Sequence, residues 1–237
     1  MTASDAISGL ILAGGLSRRM FSAGRSRAGA DAVLAGRSGA GATAPGGDKC
    51  LLDIAGKPML AHVIARLKPQ VGAIAINANG DAARFAAFGL PVVPDTIEGF
   101  AGPLAGVLAG LVWARTTRPD ARWIATVSAD APFVPPDLVS RLRLAVETRG
   151  NAIAIAQSGG ELHPVIGLWP VALAEDLDAA LRDGLRKVLA WTDRHGTVAV
   201  PFDHFDAGGS QVDPFFNANT PEELVEARRL MAEIGQQ

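Results

Sequence analysis

Cysteine is nearly missing from this chain of 237 residues: Cys50 is the only one. No intrachain disulfide can therefore form, which suits a reducing compartment. An excess of charge is missing too. Lys and Arg number 22 against 24 Asp and Glu, a net charge of −2, so bulk electrostatics offers no pull toward nucleic acid. Long apolar runs are also lacking. The uncharged stretch from Phe100 to Ala114 falls short of the about 20 residues a membrane helix needs, and it carries Gly and Pro. The opening Met1-Thr-Ala-Ser-Asp-Ala6 has no basic region before its apolar run, so no signal peptide is expected. With 49% hydrophobic residues the chain can build a sizeable core. These features predict a soluble, cytoplasmic protein without membrane or nucleic-acid partners. No linker or internal repeat is visible, which predicts one domain over 1–237.

Two familiar nucleotide motifs are absent as well. There is no G-x-x-x-x-G-K-[ST] and no G-x-G-x-x-G. What is present is Leu10-Ile-Leu-Ala-Gly-Gly-Leu-Ser-Arg-Arg-Met20, with Gly46-Gly-Asp-Lys49 further on. Ser8 to Leu12 reads as a short buried strand that stops at glycine. Gly14 and Gly15 lack a Cβ and let backbone approach a ligand closely. Exposed N–H groups in such a loop favour anions, and Arg18, Arg19 and Lys49 add cations suited to phosphate oxygens. The loop reads either as a triphosphate grip or as a plain glycine turn with solvated arginines.

Between these segments lies 21–45, rich in Ala and Gly, with Arg25, Arg27 and Arg37 against Asp31. It has little apolar periodicity and reads as a flexible insertion. It is a tolerated surface loop or a basic lid over triphosphate. Cys50 to Ile54 reads as a strand and Gly56-Lys57 as a turn. A helix opening at Pro58 follows, lined by Met59, Leu60, Val63, Ile64 and Leu67. His62 on that helix is assigned no role. Ala73 to Ile76 predicts a strand ending at Asn77-Ala-Asn79, then a helix over 81–88 and a strand at Pro91 to Pro94, ending at Asp95. Gly102-Pro-Leu-Ala-Gly106 opens a helix to about Arg115. Trp123 to Val127 is almost continuously apolar, as a strand buried on both faces should be, and ends at Ser128-Ala-Asp-Ala-Pro132. Pro135-Pro136 opens a helix carrying Leu138, Val139, Leu142 and Val146.

The last third is less regular. Strands are predicted at Ala152 to Ala156 and Pro164 to Trp169, with helices at Val171 to Leu181 and Leu185 to Arg194. An edge strand is expected at Val198 to Val200, bounded by Pro201. Thr220, Pro221 and Glu223 make a capping box for a closing helix that buries Leu224, Ala227, Met231 and Ile234. This alternation predicts an α/β fold, a doubly wound, mostly parallel, Rossmann-like sheet with a small antiparallel extension. Ligands of such sheets bind beyond the carboxyl ends of the strands. The glycine loop, Asn77, Asp95 and Asp130 all fall at such ends.

Each position also has a plainer reading. Asp130, just beyond an apolar strand, is costly unless paired; Mg²⁺ bridging phosphates would pair it, or it caps the following turn. Asn77 reads also as an ordinary polar residue ending its strand, and Asp95-Thr96 reads equally as a turn. Asn217 and Asn219 suit either a substrate site or the entry to the last helix.

L-A-G-G-x-S-x-R-M followed by G-x-D-K resembles the signature of NTP-dependent nucleotidylyltransferases, most closely the molybdenum cofactor guanylyltransferases of MobA type. The resemblance runs from Ile7 to Leu230 apart from the insertion, and includes Asn77-Ala-Asn79, Gly102-Pro-Leu-Ala-Gly106 and Asn217-x-Asn-Thr-Pro-Glu-Glu-Leu224. It implies the fold of nucleotide-diphospho-sugar transferases. It implies that Leu12, Ala13, Gly14 and Gly15 contact nucleotide, Lys49 its phosphates, and Asn77 and Asp95 the guanine nucleotide. It further implies Mg²⁺ on Asp130 and pterin substrate near Asn217 and Asn219. His163-Pro164 matches a family pair to which no chemistry is assigned. Related cytidylyltransferases carry L-A-A-G, so Gly14 points to guanine.

The implied reaction transfers GMP from GTP to the terminal phosphate of Mo-molybdopterin, releasing pyrophosphate. Asp130, Lys49 and Arg19 would carry it by alignment and charge stabilisation. No Ser-His-Asp or Cys-His arrangement is evident, in keeping with a substrate that brings its own nucleophile. Other molybdenum cofactor biosynthesis proteins, acceptor molybdoenzymes or their chaperones are the partners this implies. The rival readings are a transferase using CTP or a sugar-phosphate acceptor, and a GTP-binding regulator without turnover. A Rossmann oxidoreductase is disfavoured by the glycine spacing.

Overall fold

A computed structural model describes residues 6–14, 48–97 and 102–235 of the chain. Gly15, Arg18, Arg19 and the 21–45 insertion lie outside the described residues.

The core is a seven-stranded sheet among the described residues. Its members in chain order are β1 (Ile7–Leu12), β4 (Ala73–Asn77), β5 (Val92–Val93), β6 (Trp123–Ser128), β7 (Ile153–Ser158), β8 (Glu161–Pro170) and β9 (Thr197–Pro201). Between β1 and β4 stand the two-residue strands β2 (Asp53–Ile54) and β3 (Lys57–Pro58), which pair only with each other. In space the order is β5-β4-β1-β6-β8-β7-β9. β1 pairs parallel with β4 on one side and β6 on the other, while β8 runs antiparallel to both β6 and β7. The chain leaves β1 toward β4 and β5, then crosses back to β6 on the opposite flank. That reversal opens a crevice at the carboxyl ends of β1, β4 and β6, where α/β sheets bind ligands. Leu12, Asn77 and Ser128 end those three strands, in register with one another.

Alternation along β1 explains the layers. Ile7 and Ile11 face one cluster, with Leu60, Val63 and Leu67 of α1 (Met59–Leu67) and Leu138 and Leu142 of α3 (Leu138–Val146). Leu10 faces the other, with α2 (Pro103–Thr117), α4 (Ala174–Arg182) and Trp191 of α5 (Val188–Thr192). Each fully buried aliphatic side chain contributes roughly 1.5–3 kcal/mol. α2 is covered nearly all round, so its apolar residues show no single face. It lies tight on the sheet because of glycine: a Cβ on Gly110 would come within 2.5 Å of Leu10 Cδ2.

Departures from the expected elements are local. The 81–88 segment is a 3-10 helix (Ala82–Phe88), held between the Asp81 cap and Gly89 at φ 61, and it buries Phe85. Residues 50–54 are a 3-10 turn (Lys49–Leu51) and strand β2 rather than one continuous strand. Pro58 caps α1 instead of opening it, with ψ 142, and α3 begins at Leu138 rather than at the prolines. The helix expected from Val171 opens as a 3-10 turn (Val171–Leu173), and the one expected from Leu185 shortens to α5. An additional hairpin, β10 (Phe205–Ala207) with β11 (Ser210–Val212), turns on Gly208 and Gly209 at φ 59 and 89. The final helix α6 (Pro221–Ile234) has the expected capping box, Thr220 and Glu223 bonding reciprocally. Among the described residues no helix is long and apolar enough to cross a membrane.

Candidate active site

A cavity of about 310 Å³ lies at the strand tips, lined among others by Leu12, Gly14, Asn77, Asp95, Gly106 and Ser128. Its polar wall is a network. Asn77, the last residue of β4, donates to Val93 O at 3.0 Å and to Asp95 Oδ1 at 2.9 Å. Asn79 donates to Asp95 Oδ2 at 2.8 Å and accepts the Asp95 N–H at 2.9 Å. Both carboxylate oxygens are thus oriented by amides, and each keeps acceptor capacity for a ligand. Asn77 Oδ1 sits over the start of α2, where a Cβ on Gly106 would come within 2.4 Å of it and within 2.8 Å of Leu12 Cδ2. Gly106→Ala is therefore expected to displace Asn77 and raise the Kd of guanine nucleotide about tenfold or more. Calorimetry with GTP and GMP measures this; unchanged Kd values would show that Asn77 makes no contact there.

The second part of the site is cationic. Lys49 pairs with the Asp130 carboxylate and donates to Asn219 Oδ1, and the Ser128 hydroxyl donates to Asp130 Oδ1. Side chains of Lys49 and Asp130 are only 15% and 10% exposed, so each supplies the counter-charge the other needs in a largely dry position. Asp130 does not cap the following helix, which starts only at Leu138. Its backbone carbonyl accepts the Ala218 N–H at 3.2 Å, bringing the Asn217–Asn219 segment alongside. Asn217 Oδ1 is buried and has no hydrogen-bond partner among the described residues. A buried acceptor without a donor is costly unless a ligand satisfies it. Ser128 lines the cavity and bonds Asp130, so it joins the two parts.

The candidate residues on described positions therefore fall together. Leu12, Gly14, Asn77 and Asp95 line the cavity, and buried Ala13 donates its N–H to Asn77 O at 2.9 Å. Lys49, Asp130, Asn217 and Asn219 gather beside it, while Gly15 and Arg19 lie outside the described residues. Three participants were given no role of their own from the sequence. Asn79 is paired with Asp95, and the Asn-x-Asn spacing on a strand tip was its signal. Ser128 lacked any. Arg84 ion-pairs with Asp48 at 2.5 Å and donates to Asn79 O at 2.6 Å, tying the Asp48-Lys49 segment to the cavity wall. Cys50 is no nucleophile: burial, then the neighbouring charges of Asp48 and Asp130, push its thiol up to about 12.

A mostly parallel sheet in this strand order, flanked by helices on both faces, is the fold of the α/β nucleotidyltransferases. The chain belongs to the MobA-like NTP transferase family, whose domain profile matches residues 9–198. It is 49% identical over 235 residues to the molybdenum cofactor guanylyltransferase of Bradyrhizobium sp. (strain ORS 278), covering 98% of this chain and 97% of that one. Identity with the protein of the same name from Rhodopseudomonas palustris (strain BisB5) is 53% over 188 residues, 78% of this chain and 86% of that one. Among solved structures, molybdopterin-guanine dinucleotide biosynthesis protein A from Archaeoglobus fulgidus superposes with a TM-score of 0.66 at 20% identity, covering 95% of this chain and 99% of that one. That likeness establishes the shared fold.

Proposed function

We propose that the chain transfers GMP from GTP to the terminal phosphate of Mo-molybdopterin, forming the guanine dinucleotide of the molybdenum cofactor and pyrophosphate. The observation that carries this reading is the junction at Ser128, which places the Lys49–Asp130–Asn219 group beside the cavity of Asn77 and Asp95. The relatives named as guanylyltransferases, matched over most of their length, support the same substrates. Gly14 adds a physical argument for a purine. A Cβ there would meet nothing nearer among the described residues than Asn77 Oδ1 at 3.9 Å, so among them it would take up cavity space without clashing. Glycine leaves that volume to the base.

The residues fit Mg²⁺. Among the described residues no cluster of at least three acidic, His or Cys ligands occurs, but Mg²⁺ is commonly held by one or two carboxylates with substrate phosphates and water. Asp130 would hold it; the buried Asn217 Oδ1, one residue before the Ala218 that bonds Asp130 O, is a further oxygen without a donor among the described residues. Bound there, Mg²⁺ would neutralise charge building on the phosphates. Lys49 binds the triphosphate and shares that charge; Asn219 holds the ammonium in place. Asn77 and Asp95, braced by Asn79, orient the nucleoside, and Asn217 and Asn219 face the acceptor side. No protein nucleophile is needed, since the acceptor phosphate attacks the α-phosphorus directly. Alignment and electrostatics then carry the rate.

The test is pyrophosphate release with each of GTP, CTP, ATP and UTP, with and without molybdopterin. Release that requires both GTP and molybdopterin is expected. Release with CTP in preference would move the chain to the cytidylyl class, and GTP binding without turnover would make it a regulator.

A further inference from the structure

Ser158, His163 and Asp213 form a cluster that the reading above leaves unused. Ser158 ends β7, His163 lies on β8, and Asp213 follows the β10–β11 hairpin. The Ser158 hydroxyl donates to Asp213 Oδ1 at 2.8 Å. It has a single proton, so in the 2.6 Å contact between Ser158 Oγ and His163 Nε2 the imidazole is the donor. Asp213 Oδ1 also accepts the Phe215 N–H at 2.8 Å. The His163 ring packs on Phe215 with centroids 4.7 Å apart, and Phe215 meets Phe202 edge-on at 5.2 Å.

These are the residue types of a nucleophilic triad in an unproductive order. The serine stands between acid and imidazole, and the imidazole gives a proton to the hydroxyl instead of accepting one. Nothing activates Ser158. What the relay does is anchor the start of one segment. The far end of that segment carries Ala218, bonded to Asp130 O, and Asn219, bonded to Lys49.

We infer that His163 is a positioning residue: acting through Ser158 and Asp213, it sets the 213–219 segment so that Asn217 and Asn219 meet the acceptor at Lys49 and Asp130. This consequence for transfer rests on the proposed function, whereas the relay itself does not. The segment crosses from the β7–β8 pair to the catalytic group without regular secondary structure. Its register therefore depends on such side-chain ties, and small misplacements at a reacting centre are costly.

The test is hydrogen exchange by mass spectrometry on the full chain, beside steady-state kinetics, for His163→Ala, Ser158→Ala and His163→Gln. In the two alanine variants, amides of 213–219 should exchange about tenfold faster while those of β1 stay unchanged. kcat/KM for molybdopterin should fall about tenfold, with the Kd of GTP moving less than about twofold. His163→Gln, whose amide can donate to Ser158 Oγ, should restore both. Ser158→Ala keeps the test available if the His163→Ala chain does not fold. Unchanged exchange in 213–219 would overturn the relay. Faster exchange with an unaltered acceptor constant, or equal losses for GTP and acceptor, would overturn the positioning role. A wild-type chain inactive with every acceptor would refute the transferase reading, and the exchange data would still decide the relay.

Discussion

Asp130→Asn should lower GMP transfer by on the order of 10³-fold while the chain stays folded. The amide keeps the volume and can still accept from Ser128, but it loses the negative charge that pairs with Lys49 and would hold Mg²⁺. Losing one charge-assisted contact in a mostly buried position costs about 1–3 kcal/mol of stability. In a chain of this size that is a fall in Tm of several degrees, not unfolding. Rapid-quench measurement of dinucleotide formation, with thermal melting as control, tests it. Transfer at near wild-type rates would remove Asp130 from the chemistry.

Lys49→Ala should raise the Kd of GTP about 10- to 100-fold, the worth of a charged hydrogen bond to phosphate. The effect on GMP should be much smaller, because the nucleoside contacts proposed above are Asn77 and Asp95, on the cavity wall. Calorimetry with both nucleotides separates the two parts of the site. Equal losses for GTP and GMP would mean that Lys49 supports the cavity as a whole rather than the triphosphate. The variant also leaves Asn219 Oδ1 and the Asp130 carboxylate without their shared cation, so a lower Tm is expected in the ligand-free chain.

The strands of the sheet were readable because their patterns were extreme. β6 is apolar apart from Thr126 and its last residue Ser128, and β4 apart from its last residue Asn77, as burial between neighbouring strands on a doubly covered sheet favours. The closing helix announced itself through Thr220, Pro221 and Glu223. Weak signals failed where elements were short. Gly208-Gly209 forms the turn of a hairpin, but its flanking strands of three residues carry too little alternation to be read. The 3-10 segment at 82–88 has an Ala-rich helical composition that does not distinguish a 3-10 from an α-helix.

The site followed the same division. Asp130, Lys49, Asn77 and Asp95 were legible because polar residues and glycines at strand tips are recognisable one by one. That Arg84 would reach Asp48, or that Ser158 would stand between His163 and Asp213, was not legible; these pairs join chain segments 36 or more positions apart except within the β7–β8 turn. Composition, periodicity and capping residues by themselves determined the layered α/β fold and which residues end its strands, because those depend on local burial and backbone preference. Tertiary structure alone decided which tips meet and which carboxylate neutralises which cation. Partners distant in the chain are chosen by sheet order and crossover direction, and neither is written in any short stretch of residues.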